Sequence, residues 1–551
     1  MLVQIKDRKY TSFSYCPSFE IETDTPHPFL HKLFHGDEII YSERDHKINI
    51  QHSPTRSAKY LAGVLNLQSN LTFGRTPNLK RLYYSCTPYK KELPIFLVPY
   101  DINLSFQKTP RNKFVLFRFD HWLNKHPYGT LVETVGDVDD LSAYYEYQLF
   151  AKYIRRKVVK LKIDFTANNS LDSYIQIILQ NPERFGIFDD RRRSIIPIFS
   201  IDPQGCKDRD DALSIQSTEN PNIFYISVYI ANVWVWLEFF QLWHLWREMV
   251  ASTVYLPDKN RHMLPQTLTE TICSLDKDKP CLVIVMDFEV NTREKTILPI
   301  KITQTCIYVH NYDYESKLLL WKNTHYQLLL KVTREMDPTI GDSHDVVAYW
   351  MTQMNIHMAR DLYQKKMGIF RTAKSNVEPE TEQDPNPDIP FLRIWEQRIS
   401  GEYVGYDSSK SFEQYAHCIL DTPIYTHFTS PIRRMVDLVN QIVWVGKYDL
   451  EVNVEIIEKI NRESKAIRKI QNECELLHSI QHMDITEIVE GIVLQVDREK
   501  AKYTLYLPKY KGIVSTKNRE REFKKGEKVN CSLFLFQRED DTKRKIKIML
   551  N

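Results

Sequence analysis

The chain has 551 residues, of which 42% are hydrophobic and 26% are charged, and this balance excludes disorder as its main state. The formal net charge is only +3 and there are 15 glycines, which does not favour a glycine-rich nucleotide loop; neither GxGxxG nor a GxxxxGK phosphate loop occurs. Nine scattered cysteines without a CxxC pair exclude a disulfide framework and a zinc ribbon, and they indicate a reducing compartment such as the cytoplasm.

Residues 1–70 and 71–160 are each predicted to form a small β module. The N-terminus has no apolar core typical of a signal peptide, and no run approaches the roughly 18 apolar residues of a membrane span, so we expect neither. Short β-type runs such as Phe114–Phe119, bounded by Pro, Asn and Lys, favour small barrels. From Leu141 to Lys160 the apolar spacing becomes helical, and this stretch is predicted to lead into the next unit.

Residues 186–480 are predicted to form a large mixed α and β body. Strands dominate its first half, as in Ile195–Ile201 and Cys281–Val290, and an amphipathic helix is predicted over Ile456–Ile480. From residue 485 the pattern returns to short strands that fit an OB barrel. This last stretch has 16 basic against 10 acidic residues. Such a basic module predicts an anionic partner, most commonly nucleic acid.

The sharpest local motif follows the predicted strand Ile195–Ile201. Four carboxylates fall within ten residues there: Asp202, Asp208, Asp210 and Asp211. Carboxylates brought so close repel one another, so a folded site that gathers them needs a compensating cation. Mg²⁺ prefers such oxygen ligands, and metal-assisted cleavage of a phosphodiester is one use of them. An acidic surface loop and a Ca²⁺ loop are the alternatives, although the spacing of an EF-hand is not met.

The second motif is the stretch from Thr426 to Arg434. Ser430 is predicted to cap a helix over Ile432–Val445, with Pro431 at its first position. Arg433 would then lie in the first turn, where a cation opposes the helix dipole unless an anion shares the site. A phosphate is therefore favoured for Arg433 over the alternative, which is a surface salt bridge to a neighbouring acid such as Asp437.

The third motif is Val254–Pro257, which places Tyr255 in an apolar setting. Single-stranded nucleic-acid channels use aromatic side chains as stacking surfaces. Packing in a core or turn is the more common use of a single tyrosine. The sequence pattern leaves both interpretations open.

Taken together, the three motifs resemble the RNB family of exoribonucleases, which includes bacterial ribonuclease II and exosome-associated catalytic subunits. The acidic stretch is similar to the family's I-D-P followed by D-x-D-D-A-L, and residues 427–434 are similar to its H-F-T-S-P-I-R-R. The resemblance implies a multidomain α+β fold: two N-terminal cold-shock-type OB barrels, a large mixed α/β RNB catalytic domain and a C-terminal OB barrel. The implied domains are 1–70, 71–160, 161–484 and 485–551.

The resemblance also implies a reaction. Family members hydrolyse single-stranded RNA processively from a free 3′ end, use Mg²⁺ and release nucleoside 5′-monophosphates. By position, Asp210 and Arg433 match catalytic residues, and Arg433 matches the arginine on the phosphate at the scissile bond. RNA contacts are expected from Arg433, Ser430 and Tyr255, of which Tyr255 matches the aromatic that stacks on the terminal base. The metal is expected on three carboxylates: Asp202, Asp208 and Asp211. A monomer that binds RNA and no membrane is expected.

Three positions before residue 260 depart from the family pattern, and so do Met435 and Val436, which replace the Y-P of its R-Y-P-D. Tyr229 and Asn232 stand where H-I-A-D-V has histidine and aspartate, and Ala251 replaces the glycine before S-V-Y-L-P. None of them removes a metal carboxylate or Arg433. The alternative function is therefore an RNB-type scaffold that binds RNA and whose catalysis is impaired.

Overall fold

The computed structural model describes residues 1–16, 26–42, 47–78, 80–102, 110–154, 161, 163, 170–373, 401–446, 452–480, 486–510, 512–535 and 546–550. The chain divides into two compact units. The first comprises Met1–Arg155, Leu256–Asp258 and Lys469–Asn551, and the second comprises Arg156–Tyr255 and Lys259–Arg468. Within the described ranges, no helix is both long enough and apolar enough to cross a bilayer.

The N-terminal part of the first unit contains a four-stranded sheet followed by a closed barrel. The sheet has the order β2-β1-β3-β4, with β1 (Leu2–Ile5), β2 (Phe13–Cys16), β3 (Glu38–Ser42) and β4 (Lys47–His52). The barrel is formed by β5 (Leu61–Leu65), β6 (Leu82–Pro88), β7 (Phe96–Tyr100), β8 (Lys113–His121) and β9 (Tyr128–Asp137), closed in the order β5-β6-β7-β9-β8. Because β5 pairs with both β6 and β8, the barrel begins before the predicted boundary at residue 71.

The second unit is built on a seven-stranded mixed sheet with the order β10-β17-β16-β13-β12-β11-β18. Two short hairpins, β14-β15 and β19-β20, accompany it. The strands are β10 (Ile187–Asp190), β11 (Phe199–Asp202), β12 (Asp211–Ser217), β13 (Ile223–Ala231), β14 (Val254–Tyr255), β15 (Asn260–Arg261), β16 (Cys281–Asn291), β17 (Thr296–Ile307), β18 (His310–Asp313), β19 (Ile369–Thr372) and β20 (Glu402–Gly405).

Helices cover both faces of this sheet. Within the described residues, the α-helices are α1 (Pro54–Ser57), α2 (Leu141–Ala151), α3 (Leu171–Leu179), α4 (Pro182–Phe185), α5 (Val233–Phe239), α6 (Lys317–Lys322), α7 (Thr324–Met336), α8 (Ser343–Gln364), α9 (Met435–Val445) and α10 (Val454–Ile480). One core joins the sheet to α5 and α9, and it contains Trp234 and Leu438. A second core joins the opposite face to α7 and α8 through Leu329 and Trp350. Each face thus buries its own apolar layer, which holds the strand ends in fixed positions.

Shorter helical turns complete the secondary structure. The 3₁₀ turns are Trp243–Glu248, Phe412–Tyr415, Cys418–Leu420 and Pro508–Tyr510, and a π-helical turn spans Thr267–Ile272.

The expected start of helix α9 is wrong. The helix begins at Met435, with Arg434 as its N-cap residue in an extended conformation, and not at Ile432 behind a Ser430 cap. The cause is a competing backbone pairing: Arg434 forms a β-bridge with Ser252, and the N–H of Met435 donates to the carbonyl of Ala251 at 2.9 Å. Residues 431–433 form a separate turn, in which the N–H of Arg434 donates to the carbonyl of Ser430 at 3.0 Å, and the extended Arg434 divides that turn from the helix.

The C-terminal part of the first unit is a five-stranded antiparallel sheet with the order β23-β22-β21-β24-β25. Thr516 on β23 donates a hydrogen bond to the carbonyl of Ile548 on β25 at 2.6 Å, which links the first and last strands of that order. The strands are β21 (Thr486–Asp497), β22 (Lys502–Leu507), β23 (Gly512–Lys517), β24 (Lys528–Leu535) and β25 (Ile546–Leu550). The predicted multidomain fold of β-barrel modules and a mixed α/β body is confirmed; the division into four domains stays a prediction.

Candidate active site

The four carboxylates of the acidic motif are carried by the ends of β11 and β12 and the loop between them. Asp202 is the last residue of β11 and Asp211 the first of β12. Because the two strands are antiparallel, the connecting loop returns Asp208 and Asp210 toward Asp202. Gly205 turns the chain with a φ of +77°, a conformation that glycine adopts without the steric cost of a side chain. We call residues Asp202–Asp211 the acidic loop.

Two carboxylates of the acidic loop carry poorly compensated charge. Asp202 is 8% exposed, and its Oδ2 accepts no hydrogen bond in the described part of the chain. The Nε of Arg209 lies 3.6 Å from that oxygen. Burial is the main reason that the pKa of Asp202 rises to about 6, and the charge of Asp208 adds to the rise. Burial, followed by the charges of Asp202 and Asp210, holds the pKa of Asp211 well above its ordinary value.

Asp210 and Arg433 form the best-defined contact of the site. The Oδ2 of Asp210 accepts a hydrogen bond from Nε of Arg433 at 3.0 Å, and its Oδ1 accepts one from the backbone N–H of Ile432 at 2.9 Å. The Asp210 side chain is 2% exposed, whereas 42% of the Arg433 side chain remains exposed. Burial raises the pKa of Asp210 to about 7, although the charge of Arg433 opposes the rise. The buried carboxylate therefore holds the inner edge of a guanidinium whose remaining surface can meet a ligand.

Tyr255 contacts the acidic loop directly. Its hydroxyl donates to Oδ2 of Asp208 at 2.8 Å, and the thiol of Cys206 approaches the other oxygen of the same carboxylate at 3.7 Å. Burial, and then the charge of Asp208, raises the pKa of the Tyr255 phenol. The structure thus gives Tyr255 a hydrogen-bonding contact that the sequence did not predict, while its stacking on a base stays a prediction.

Ser430 and Arg434 are tied to the first turn of α9. The buried carboxylate of Asp437 accepts a hydrogen bond from the N–H of Ser430 at 2.8 Å and pairs with Nε of Arg434 at 2.9 Å. The hydroxyl of Ser430 in turn accepts a hydrogen bond from Nη2 of Arg433 at 3.2 Å. The salt bridge considered in the sequence as an alternative for Arg433 is therefore made by Arg434. Arg433 pairs with the acidic loop instead.

The donor chemistry of the acidic loop fits a hard divalent cation. Mg²⁺ usually takes one or two carboxylates together with waters and phosphate oxygens. Asp202, with its unpartnered Oδ2, and Asp211 supply such a pair. Across the residues that the structure describes, no group of three or more His, Cys, Asp or Glu side chains is arranged to hold a metal ion. The set of Asp202, Asp208 and Asp211 as metal ligands stays a prediction.

Sequence reasoning did not single out the groups that fix the acidic loop from outside. Arg209, inside the loop, forms an ion pair with Asp276, and its backbone N–H donates to the hydroxyl of Ser274 at 3.2 Å. The N–H of Leu275 donates back to the carbonyl of Arg209 at 3.0 Å. Ser274 and Leu275 lie far along the chain from Arg209, so no local pattern in the sequence links them to the acidic loop.

The three departures from the family pattern that lie before residue 260 have partners of their own. Tyr229 lies 3.0 Å from the hydroxyl of Ser214, oxygen to oxygen. Asn232 donates to the side-chain oxygen of Gln304 at 2.7 Å and caps α5. The N–H of Ala251 donates to Glu463 at 2.9 Å. Each substitution is thus accommodated in a bonded environment outside the acidic loop.

Comparison with known proteins agrees with this site. Residues 191–317 and 399–444, which include the acidic loop and Arg433, match the family model described as the RNB domain. The human exosome complex exonuclease RRP44 is 23% identical over 432 residues, which is 64% of this chain and 43% of that protein. The chain thus spans less than half the length of that relative. The resemblance seen in the sequence motifs is confirmed.

Solved structures show the same fold. The apo form of Mycoplasma genitalium RNase R matches with a TM-score of 0.67 and 15% identity over 94% of this chain and 95% of that one. The same enzyme has been solved in complex with ribose-methylated single-stranded RNA and matches with a TM-score of 0.64 at 15% identity over 94% and 95% of the two chains. Yeast Ssd1, described as a pseudonuclease, matches with a TM-score of 0.58 at 15% identity over 91% of this chain and 71% of its own. The fold is therefore shared by nucleases and by at least one non-nuclease.

Proposed function

We propose that the chain, which carries an RNB domain match over residues 191–317 and 399–444, is a 3′-to-5′ exoribonuclease that hydrolyses single-stranded RNA processively to nucleoside 5′-monophosphates. The bond broken is the one between phosphorus and the 3′ oxygen of the penultimate nucleotide. Water supplies the new oxygen on phosphorus, and the shortened RNA keeps a 3′ hydroxyl. The proposed resident metal is Mg²⁺.

One observation carries the proposal: the acidic loop has kept all four carboxylates together with Arg433. Asp202 and Asp211 have raised pKa values because they are buried and close to other carboxylates, so their ionised forms oppose folding. A bound cation removes that penalty. A scaffold that had no use for the cation would gain stability by losing one of these groups.

The residues of the acidic loop and Arg433 have distinct roles in the proposed reaction. Asp210 holds Arg433 by its Nε, so the exposed guanidinium edge is positioned for the oxygens of the phosphodiester and stabilises the charge that develops on them. Asp202 and Asp211 hold the metal, and a carboxylate of the loop aligns the attacking water. When bound, Mg²⁺ would neutralise phosphoryl charge and lower the pKa of a coordinated water. Asp208, fixed by Tyr255, links the loop to the aromatic ring proposed to stack on the terminal base.

Single-stranded RNA with a free 3′ end is the proposed substrate. A structural neighbour with this fold has been solved with single-stranded RNA, and the C-terminal module here is basic, which favours a phosphate backbone. The protein is proposed to act as a monomer. All nine cysteines are free thiols, which supports a reducing compartment such as the cytoplasm.

The second candidate function is an RNA-binding scaffold whose catalysis is impaired. Its support is specific: a pseudonuclease shares the fold, and Tyr229, Asn232 and Ala251 depart from the family pattern. The intact acidic loop favours the enzyme over this scaffold.

A gel time course on 5′-labelled single-stranded RNA separates the two candidates. We expect stepwise shortening from the 3′ end with Mg²⁺, no shortening in EDTA, and nucleoside 5′-monophosphates as the released product. RNA that is retarded on a native gel but never shortened in Mg²⁺ would instead establish the scaffold.

A further inference from the structure

A group of basic side chains surrounds Tyr403 in the second unit. Arg371 on β19 and Tyr403 on β20 face each other across the antiparallel pair, and the guanidinium carbon lies 4.7 Å from the centre of the Tyr403 ring. Gly401 makes room for this stack, because a Cβ at that position would come within 2.8 Å of the Arg371 Nε. The guanidinium is therefore held in a fixed place over an aromatic face.

Arg371 has no ion-pair partner among the described residues, although the charge of Glu402 acts on it. Over the described residues, no carboxylate forms an ion pair with it and no acceptor takes a hydrogen bond from its side chain. It is only partly exposed. Burial is the main cause that lowers its pKa, and the positive charges of Arg468 and Arg434 add to this, while Tyr403 and Glu402 oppose it without restoring the ordinary value. A partly desolvated cation without a partner is unfavourable for folding, so a role in binding an anion would explain why it is there.

The neighbouring groups offset this charge only in part, since the pKa of Arg371 stays lowered despite Glu402. Arg434 is already paired with Asp437 at 2.9 Å. Tyr403 shares a 2.8 Å hydrogen bond with Nδ1 of His427. Burial, followed by the charges of Arg434 and Arg371, holds the pKa of His427 well below its ordinary value. We call Arg371, Arg434 and Arg468 around Tyr403 the arginine cluster.

Within the arginine cluster, Arg371 lies on β19, which is bonded to the segment that precedes Arg433. The N–H of Arg371 donates to the carbonyl of Tyr425 at 2.8 Å, and Thr426 donates its hydroxyl hydrogen to the carbonyl of Ile369 on the same strand at 2.5 Å. Thr426 is seven positions before Arg433 in the chain. Backbone bonds therefore fix Arg371 relative to the arginine proposed for the scissile phosphate.

We propose that Arg371, seated on Tyr403 and supported by Arg468, binds a second phosphodiester of the RNA chain, on the 5′ side of the scissile bond. An arginine stacked on a ring keeps its donor edge free, and that planar edge matches two phosphate oxygens. The position on the 5′ side follows from the proposed function, on which this inference rests, because release of mononucleotides leaves only one nucleotide on the 3′ side.

The test measures RNA affinity in an Asp210→Asn background, so that the RNA stays intact. Fluorescence anisotropy with a labelled single-stranded oligoadenylate is recorded over a series of KCl concentrations. We expect Arg371→Gln to weaken binding about tenfold and to reduce the salt slope by roughly 0.7, the value for one phosphate contact on a single strand. Arg371→Lys should keep the slope but bind more weakly, because it keeps the charge and loses the planar fork.

Two further variants control for folding and for general charge. Arg293→Gln removes the same charge at an exposed turn and should leave both the affinity and the slope unchanged. Arg468→Gln lies at an exposed helix position, so it tests the cluster without disturbing the stack, and it should reduce the slope by less than Arg371→Gln does.

An Arg371→Gln variant that melts like its parent and keeps the parental affinity and slope overturns this inference while leaving the proposed function in place. If Arg371→Gln does not fold, an unchanged slope in Arg468→Gln together with unchanged affinity in Arg371→Lys overturns it in the same way. If the Asp210→Asn protein binds no RNA and the wild type shortens none, the proposed function and this inference are overturned together.

Discussion

The acidic loop and the arginine cluster lie in the same unit and carry charges of opposite sign. Within the part of the chain that the structure describes, each of them contains a buried or partly buried charged group without an ion-pair or hydrogen-bond partner for part of its surface. Asp202 has a buried oxygen without a donor, and Arg371 has a partly buried guanidinium without a carboxylate acceptor in the described residues. In an ordinary core such charges are paired within the chain. In the proposed function a metal ion compensates the charge of the acidic loop and a phosphodiester chain compensates that of the arginine cluster.

Arg433 and Arg371 are held in different ways, and this shows how the two regions differ. Asp210 neutralises part of the charge of Arg433 at 3.0 Å, so Arg433 is positioned by the acidic loop, whereas Arg371 is positioned by an aromatic face and by backbone bonds. In the proposed function the acidic loop thus combines binding with chemistry. The arginine cluster has the features of a binding region alone.

The largest expected effect comes from Arg433→Ala, which removes the guanidinium that the acidic loop holds through Asp210. We expect kcat on single-stranded RNA to fall on the order of 10²- to 10³-fold, as for the loss of one donor to a developing oxyanion. Single-turnover kinetics measure it. Arg433→Lys, as the matched variant, should recover part of the rate. An unchanged kcat would show that Arg433 does not act in the transition state.

Asp437→Ala tests the one arginine of the cluster that has an internal partner. Loss of this buried carboxylate leaves the Ser430 N–H and Arg434 unpaired, so we expect a destabilisation of about 3 kcal/mol. Urea denaturation measures it, with Asp437→Asn as the milder variant. A loss of unfolding free energy no larger than that of an exposed salt bridge would mean that Asp437 does not compensate the charge of Arg434.

The acidic loop should make the metal-free protein less stable as the pH rises. The folded-state pKa values of Asp202 and Asp210, about 6 and about 7, lie above the ordinary value of 3.8. The folded state therefore binds more protons than the unfolded chain between these limits. The stability that these two groups contribute is fully present below pH 3.8 and is lost as the pH rises through 6 to 7.

Asp202→Asn isolates this effect. In EDTA at neutral pH the variant should be more stable than the wild type by on the order of 1 kcal/mol, and the difference should disappear in acid. Thermal melts over a pH series measure the difference, with Asp101→Asn at an exposed ion pair as control. A variant that is less stable than the wild type at neutral pH would contradict the uncompensated charge of the loop.

The smallest expected effect is that of Tyr255→Phe. The variant keeps the ring but loses the hydrogen bond to Asp208, so we expect a loss of about 1 kcal/mol in kcat/KM, a factor of about five. Tyr255→Ala also removes the ring and should cost more. Equal losses in the two variants would show that the ring makes no contribution beyond the hydroxyl.

The difference between the two regions also explains what the sequence could predict. The four aspartates lie within ten residues and remain together because one hairpin carries them, so local sequence was enough. Arg371 and Arg468 are 97 positions apart, and only tertiary structure brings their charges close. The start of α9 was mispredicted for the same reason, since the pairing of Arg434 with Ser252 overrides the local capping signal.

The most direct test of the account compares the wild type with Asp210→Asn on one 5′-labelled single-stranded RNA, measuring binding and shortening in the same samples with Mg²⁺. The account predicts that both proteins bind the RNA and that only the wild type shortens it from the 3′ end. Equal shortening by Asp210→Asn, or none by a wild type that binds the RNA, would contradict the claim that the acidic loop is a working catalytic centre.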